Sequence, residues 1–194
     1  MICVIDYGMG NLRSVSKALE KVGGKVWVTS QPEDLVKAEK VVLPGVGGFG
    51  DGAEELGRRG LFEPVRECLS QGKPFLGICL GMQLLFDESE ENPGAKGFGF
   101  FRGKVQRFQS RSVKIPHMGW NEVKFSAPQK NDYFYFVHSY YPLPEEKTIV
   151  QGTCEYGAEE FAAFVAKEKI WATQFHPEKS QDAGLQILKK FVSL

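Results

Sequence analysis

Phe75-Leu76-Gly77-Ile78-Cys79-Leu80-Gly81-Met82-Gln83 is the stretch on which the fold turns. An apolar, strand-like run over 75–78 meets a cysteine flanked by glycines, and the chain then takes on helical composition. Gly77-x-Cys79-x-Gly81 is the cysteine form of a nucleophile elbow, a sharp strand-to-helix turn that exposes its central side chain. Backbone segments nearly touch at such a turn, and only residues without Cβ fit on either side of the turned residue. The sulfur is thrown outward, and the following N–H, that of Leu80, is set to face a developing oxyanion. A buried cysteine at a tight β-to-α joint has the same local pattern, so the motif needs a base elsewhere in the chain.

Towards the N-terminus, apolar runs at 2–5, 26–29 and 41–43 read as strands. Segments 11–22, 32–38, 61–71 and 82–88 have the spacing or length of helices, with glycines at the joints. This β-α-β-α order predicts a parallel sheet with helices on both faces. From 97 to 175 the pattern changes to strand-like runs between short turns, at 123–125, 133–140, 149–154 and 161–166, which reads as antiparallel or mixed. A final helix is expected over 183–192. The expected fold is α/β, an open, mostly parallel twisted sheet flanked by helices with an antiparallel portion in the second half. A chain of 194 residues at 42% hydrophobic content can bury one full core, so a single domain over 1–194 is expected.

Lysine plus arginine balance aspartate plus glutamate at 24 each, which gives no reason to expect nucleic acid or an anionic membrane as partner. No apolar run approaches the length of a membrane span. The start, Met1-Ile2-Cys3-Val4-Ile5-Asp6, is strand-like and unlike a signal peptide, so the expected location is cytoplasmic. The four cysteines, at 3, 68, 79 and 154, form no C-x-x-C pair and no zinc-ligand spacing. Cys3, Cys68 and Cys154 read as small buried hydrophobes, and no metal or cofactor is expected.

A free cysteine is only a few per cent thiolate at neutral pH, so a nucleophilic Cys79 needs a histidine. The chain has three. His117 and His138 lie in the antiparallel portion, whereas His176 follows the apolar run 170–175 and opens His176-Pro177-Glu178. Proline biases His176 towards an extended conformation, in which residues two apart point the same way. The Glu178 carboxylate can then orient the imidazole and stabilise its charged form, completing a Cys79-His176-Glu178 triad. The same pair would also serve as half of a metal site, for which a third ligand set is lacking.

Pro44-Gly45-Val46-Gly47-Gly48-Phe49-Gly50 contains a literal G-x-G-x-x-G, the pattern of dinucleotide binding. It follows the third strand rather than opening the domain, and no clear ribose-binding acid follows it, so that reading is rejected. A glycine loop at the carboxyl end of a strand still offers N–H groups to an anion.

With elbow, glycine loop and His-Pro-Glu in this order, the sequence resembles the class I (triad) glutamine amidotransferases over essentially its whole length. Within the family the likeness is to the glutaminase subunits of imidazole glycerol phosphate synthases. It is carried by the segments 6–12, 44–47, 116–121, 135–140 and 175–180. The resemblance implies that Cys79 attacks the side-chain amide of glutamine, with backbone donors from Leu80 and the Val46-Gly47 segment, beside Gly45, holding the oxyanion. It implies substrate recognition by Gly45, Gln83 and Glu91, and main-chain pairing of the substrate's amino-acid end with His138, Ser139 and Tyr140.

Ammonia released into water would be protonated and lost, and the chain shows no module that consumes it, so a separate synthase partner is expected. The resemblance implies a heterodimer with a (β/α)8-barrel cyclase, faced by Asn11 and Arg13 and by His117, Met118, Trp120 and Asn121. Three alternatives stay open at this level. One is a triad glutaminase serving another synthase, such as that for pyridoxal phosphate; another is a related cysteine hydrolase of similar fold; the third is a binding or redox domain whose Cys79 is merely oxidisable.

Overall fold

The computed structural model describes all residues from 1 to 194. Its first half runs β1 (Ile2–Ile5), α1 (Leu12–Lys21), β2 (Val26–Thr29), α2 (Pro32–Lys37), β3 (Lys40–Gly45), α3 (Phe49–Arg58), α4 (Phe62–Ser70), β4 (Phe75–Cys79) and α5 (Leu80–Gln83). The second half begins with β5 (Glu88–Ser89), β6 (Gly103–Arg107), β7 (His117–Phe125), β8 (Asp132–His138) and β9 (Tyr140–Pro144). It ends with β10 (Val150–Tyr156), β11 (Glu159–Lys167), β12 (Ile170–Thr173) and α6 (Gln181–Val192).

Nine strands form one sheet in the order β2-β1-β3-β4-β12-β11-β10-β7-β8, and β5-β6-β9 form a small second sheet. The first five are parallel, in the flavodoxin-like order 2-1-3-4-5 with β12 as the fifth, and the rest continue antiparallel. Side-chain alternation in β1 divides the core between the two faces. Ile2 and Val4 pack with Val15, Leu19, Leu188 and Phe191 of α1 and α6, while Cys3 and Ile5 pack with residues of α2, α3 and α4 such as Leu35, Leu56 and Val65. No helix is long and apolar enough to cross a membrane.

At three places the structure is more definite than the sequence. The run at 170–173, within the portion read as antiparallel or mixed, is mixed: antiparallel to β11 and parallel to β4, with Ile78 in register with Thr173. Its place in the middle of the sheet explains why it is apolar without alternation. Phe49 and Gly50, read as the end of a glycine loop, open a helix, α3, that runs to Arg58. Gly50 and Gly52 are poor helix formers, yet a Cβ at either would crowd Asn92 or Leu80, so close packing selects glycine there. The helix expected over 82–88 is a single turn, α5. Beyond it the carbonyls of Leu84, Leu85 and Phe86 accept from the N–H groups of Phe98, Phe101 and Gly99, so a crossing segment takes the place of further helical bonds.

Candidate active site

β3, β4 and β12 lie side by side and parallel, so whatever follows each of them is delivered to one edge of the sheet. Gly45 is in register with Cys79, and Ile78 with Thr173. The glycine loop, the elbow cysteine and the segment carrying His176 therefore converge. At the elbow Cys79 has φ 55° and ψ −107°, a conformation unusual for a residue with a side chain. Such strain costs on the order of 1–3 kcal/mol and persists only where the surroundings enforce it. They do so here by close approach. A Cβ on Gly77 would sit 2.6 Å from the Gly81 carbonyl oxygen, and one on Gly81 would run into that of Leu43.

His176 and Glu178 are buried together, their side chains 3% and 2% exposed, with Nδ1 2.8 Å from Glu178 Oε1. A carboxylate only accepts, so Nδ1 carries the proton, and the neutral imidazole presents Nε2 as its base. Nε2 has no other hydrogen-bond partner. Burial works to lower the His176 pKa, but the neighbouring Cys79 sulfur and the Glu178 carboxylate outweigh it and raise the value to about 10. Electrostatically the site favours an imidazolium beside sulfur, the charge distribution of an activated thiolate.

Cys79 opens into a cavity of about 310 Å³ lined by Val46, Gly47, Leu80, Gln83, Glu91, Pro116, Val137, His138, Ser139 and Tyr140. Neither the Val46 nor the Gly47 N–H donates to a protein acceptor. The far end of the loop is fixed from a distance. Glu91 Oε2 accepts from Phe49 N at 2.8 Å and Asn92 Oδ1 from Gly50 N at 2.9 Å, two free donors of the first turn of α3. Glu91, expected to touch substrate, thus caps this helix as well as lining the cavity. Gln83 donates to the Tyr140 carbonyl at 2.9 Å, which fixes the direction of its amide.

The residues grouped as a partner surface divide. Met118 and Trp120 are 62% and 47% exposed on β7, and Arg13 is exposed on α1. Asn11, also exposed, caps α1 by accepting from Ser14 N at 3.1 Å. His117 is a correction. Its ring is buried, stacks on Tyr156 and bonds to His138, so its side chain does not face outward. Asn121 is half-buried, its side-chain nitrogen 3.3 Å from His117 Nε2. Sequence reasoning passed over Gln174, whose amide nitrogen lies 3.6 Å from Cys79 Sγ, and Tyr7, whose buried hydroxyl adjoins Gly45. Gln174 is two residues before His176, so the alternation that joined His176 to Glu178 would have found it.

A family model described as "Glutamine amidotransferase class-I" matches residues 3–194. The chain is 48% identical to "Imidazole glycerol phosphate synthase subunit HisH" of Syntrophotalea carbinolica over 98% of each chain. It is 49% identical to the protein of the same name in Methanocaldococcus jannaschii over the full length of both. Its fold matches a solved structure described as a glutamine amidotransferase, with TM-score 0.80 at 18% identity and full coverage of both chains. It also matches the "Structure of PurLQS from Thermotoga maritima" with TM-score 0.73 at 21% identity, over 99% and 94% of the two chains. On this sequence match and on the shared fold, the chain belongs to the class I glutamine amidotransferase family.

Proposed function

We propose that this chain is the glutaminase subunit of an imidazole glycerol phosphate synthase, acting through Cys79, His176 and Glu178. The observation that carries the chemistry is the convergence at the ends of β3, β4 and β12 of an elbow cysteine, a carboxylate-bound imidazole and a loop with free N–H groups. The relatives' shared subunit name carries the assignment to this synthase.

Glutamine enters the cavity with its side-chain amide at Cys79 and its amino-acid end towards Glu91 and the 138–140 main chain. The sulfur attacks the amide carbon, and the carbonyl oxygen takes the negative charge. Donors from Leu80 and the Val46-Gly47 segment hold that oxyanion, each worth about 3–4 kcal/mol in the barrier. His176 gives its Nε2 proton to the departing nitrogen, leaving ammonia and a glutamyl thioester. The same Nε2 then takes a proton from water, which attacks the thioester and frees glutamate and Cys79. Glu178 holds the tautomer throughout.

The ammonia passes to a (β/α)8-barrel cyclase that combines it with an aminoimidazole ribonucleotide precursor. The exposed apolar side chains of Met118, Trp120 and Tyr133 on β7 and β8 support a docking face there. Residues 1–194 act as one amidotransferase domain, and the four free thiols suit a reducing, cytoplasmic setting. The test is glutamate release, measured with and without the cyclase and its ribonucleotide ligand. The expected result is turnover that rises in the complex together with formation of imidazole glycerol phosphate. Preference for γ-glutamyl peptides, or turnover without that product, would overturn the assignment.

A further inference from the structure

Gln174 follows β12 directly and is fully buried, and no step above uses it. Its side chain ends a chain of amides with one possible polarity. The Tyr140 carbonyl can only accept, so the Gln83 atom 2.9 Å from it is the amide nitrogen. That nitrogen also lies 3.1 Å from the Gln174 side chain, which must therefore present its oxygen. The Gln174 nitrogen is left facing Cys79 Sγ at 3.6 Å. The orientation does not depend on telling nitrogen from oxygen in either side chain, because one backbone carbonyl dictates both.

We infer that Gln174 is a dedicated hydrogen-bond donor to the Cys79 thiolate, held in that role by Gln83 and the Tyr140 carbonyl. Besides the His176 imidazole, the sulfur meets the Val137 carbonyl at 4.0 Å, which accepts weakly from the thiol and repels the thiolate. A bond to an ionised acceptor is roughly twice as strong as one between neutral groups. The Gln174 N–H thus favours the form of Cys79 that attacks, and it fixes the direction of the attacking lone pair. Since Gln83 lines the substrate cavity, the amide chain also links the cavity wall to the nucleophile. This inference rests on the glutaminase reading of the site.

The experiment measures iodoacetamide alkylation of Cys79 in the full chain as a function of pH, beside glutaminase kinetics of the cyclase complex. Cys79 alone of the four buried cysteines lines the cavity, and burial pushes the Cys3, Cys68 and Cys154 thiols up, Cys3 and Cys154 to about 12, so the rate reports Cys79. Gln174→Met removes the donor at similar size. Gln174→Glu keeps an oxygen for Gln83 and turns an acceptor towards the sulfur, which preserves packing should the methionine variant fail to fold. The alkylation midpoint is expected to rise by about one pH unit or more. In the complex, kcat is expected to fall about tenfold or more with KM nearly unchanged. An unchanged midpoint in a folded variant overturns the inference. Wild-type chain without glutaminase activity in the complex would instead overturn the functional reading, and the alkylation profile would still decide the role of Gln174.

Discussion

His117 Nδ1 donates to His138 Nε2 across 3.1 Å inside the β7–β8 ribbon, and the neighbours of the pair dictate which nitrogen holds each proton. His138 Nδ1 lies 2.9 Å from the Tyr140 carbonyl and must donate to it, so His138 Nε2 carries the lone pair. His117 Nδ1 is therefore the donor, and His117 Nε2 accepts from Asn121, whose nitrogen also donates to the Glu155 carbonyl at 2.8 Å. Every donor in the chain has an acceptor while both rings are neutral. An added proton on His138 would set two N–H groups against each other.

The pair is therefore expected to make stability fall in mild acid. Burial pushes His117 down to about 4, and burial, with His117 and His176 adding to it, pushes His138 down to about 3. In the unfolded chain both imidazoles titrate near ~6.5. Both folded values are depressed, so the stability is fully present above about pH 6.5 and is lost as pH falls towards the folded values. Each proton taken up only on unfolding removes about 1.4 kcal/mol per pH unit. Urea unfolding between pH 7 and 4.5 should show a slope approaching two protons, beginning above the range where ordinary carboxylates titrate. A flat profile down to pH 5 would mean that the pair is charged in the native state.

Removing the nucleophile and removing its orienting acid should give different signatures. Cys79→Ala is expected to lower glutaminase kcat in the complex by about 10⁴-fold or more, as for loss of a triad member, with the fold unchanged by circular dichroism. Glu178→Gln keeps the shape but lets an amide N–H face Nδ1, which favours the wrong tautomer and should cost roughly 10³–10⁴-fold. Glu178 also supports the raised His176 pKa, so the pH profile of the residual activity should shift as well. Retention of wild-type turnover in either variant would remove that residue from the mechanism.

The elbow was legible in sequence because part of its chemistry is local: the glycine at 77 answers a clash with the Gly81 carbonyl that arises within five residues, while the clash at 81 is with Leu43 on the neighbouring β3. The His176–Glu178 pair was legible for the same reason, since period-two alternation needs no tertiary information. What escaped was set by sheet order. An apolar run such as 170–173 reads alike in a parallel or an antiparallel position, and only its pairing with β4 shows that His176 and Cys79 are neighbours. The start of α3 was hidden by glycines whose reason lies in Asn92, some 42 residues away, and although alternation would have put Gln174 on the His176 side, its partners on α5 and β4 come only with the fold.

The long-range cap on α3 separates two residues that lie next to each other in sequence. Asn92 bonds to Gly50 N and does not line the cavity, whereas Glu91 bonds to Phe49 N and does. Asn92→Ala should cost about 0.5–2 kcal/mol of stability, the usual range for a lost cap, and lower kcat by loosening the root of the 45–48 loop, with little change in KM. Glu91→Ala should do the same and also raise KM several-fold, since the proposed substrate ammonium loses its carboxylate. Equal KM for the two variants would remove Glu91 from substrate binding.

Gly45 and Tyr7 form the tightest junction beneath the oxyanion loop. The Tyr7 hydroxyl is fully buried without a partner, and a Cβ on Gly45 would strike it and would also come within 2.9 Å of Leu80 Cβ. Burial first and the Cys79 sulfur second push the Tyr7 phenol above the usual tyrosine range, so it stays neutral at any working pH. Gly45→Ala is expected to destabilise the chain by about 1–3 kcal/mol through overpacking and to lower kcat by displacing the Val46 and Gly47 N–H groups. Tyr7→Phe removes an unsatisfied buried hydroxyl and should be neutral or stabilising by up to ~1 kcal/mol. In the double variant the alanine gains the space the hydroxyl vacates, so the two changes should couple favourably by about 0.5 kcal/mol or more. The remaining cost belongs to the contact with Leu80. Strict additivity of the two variants in urea denaturation would show that the loop is held off Tyr7, and that Gly45 is required there for a reason other than this contact.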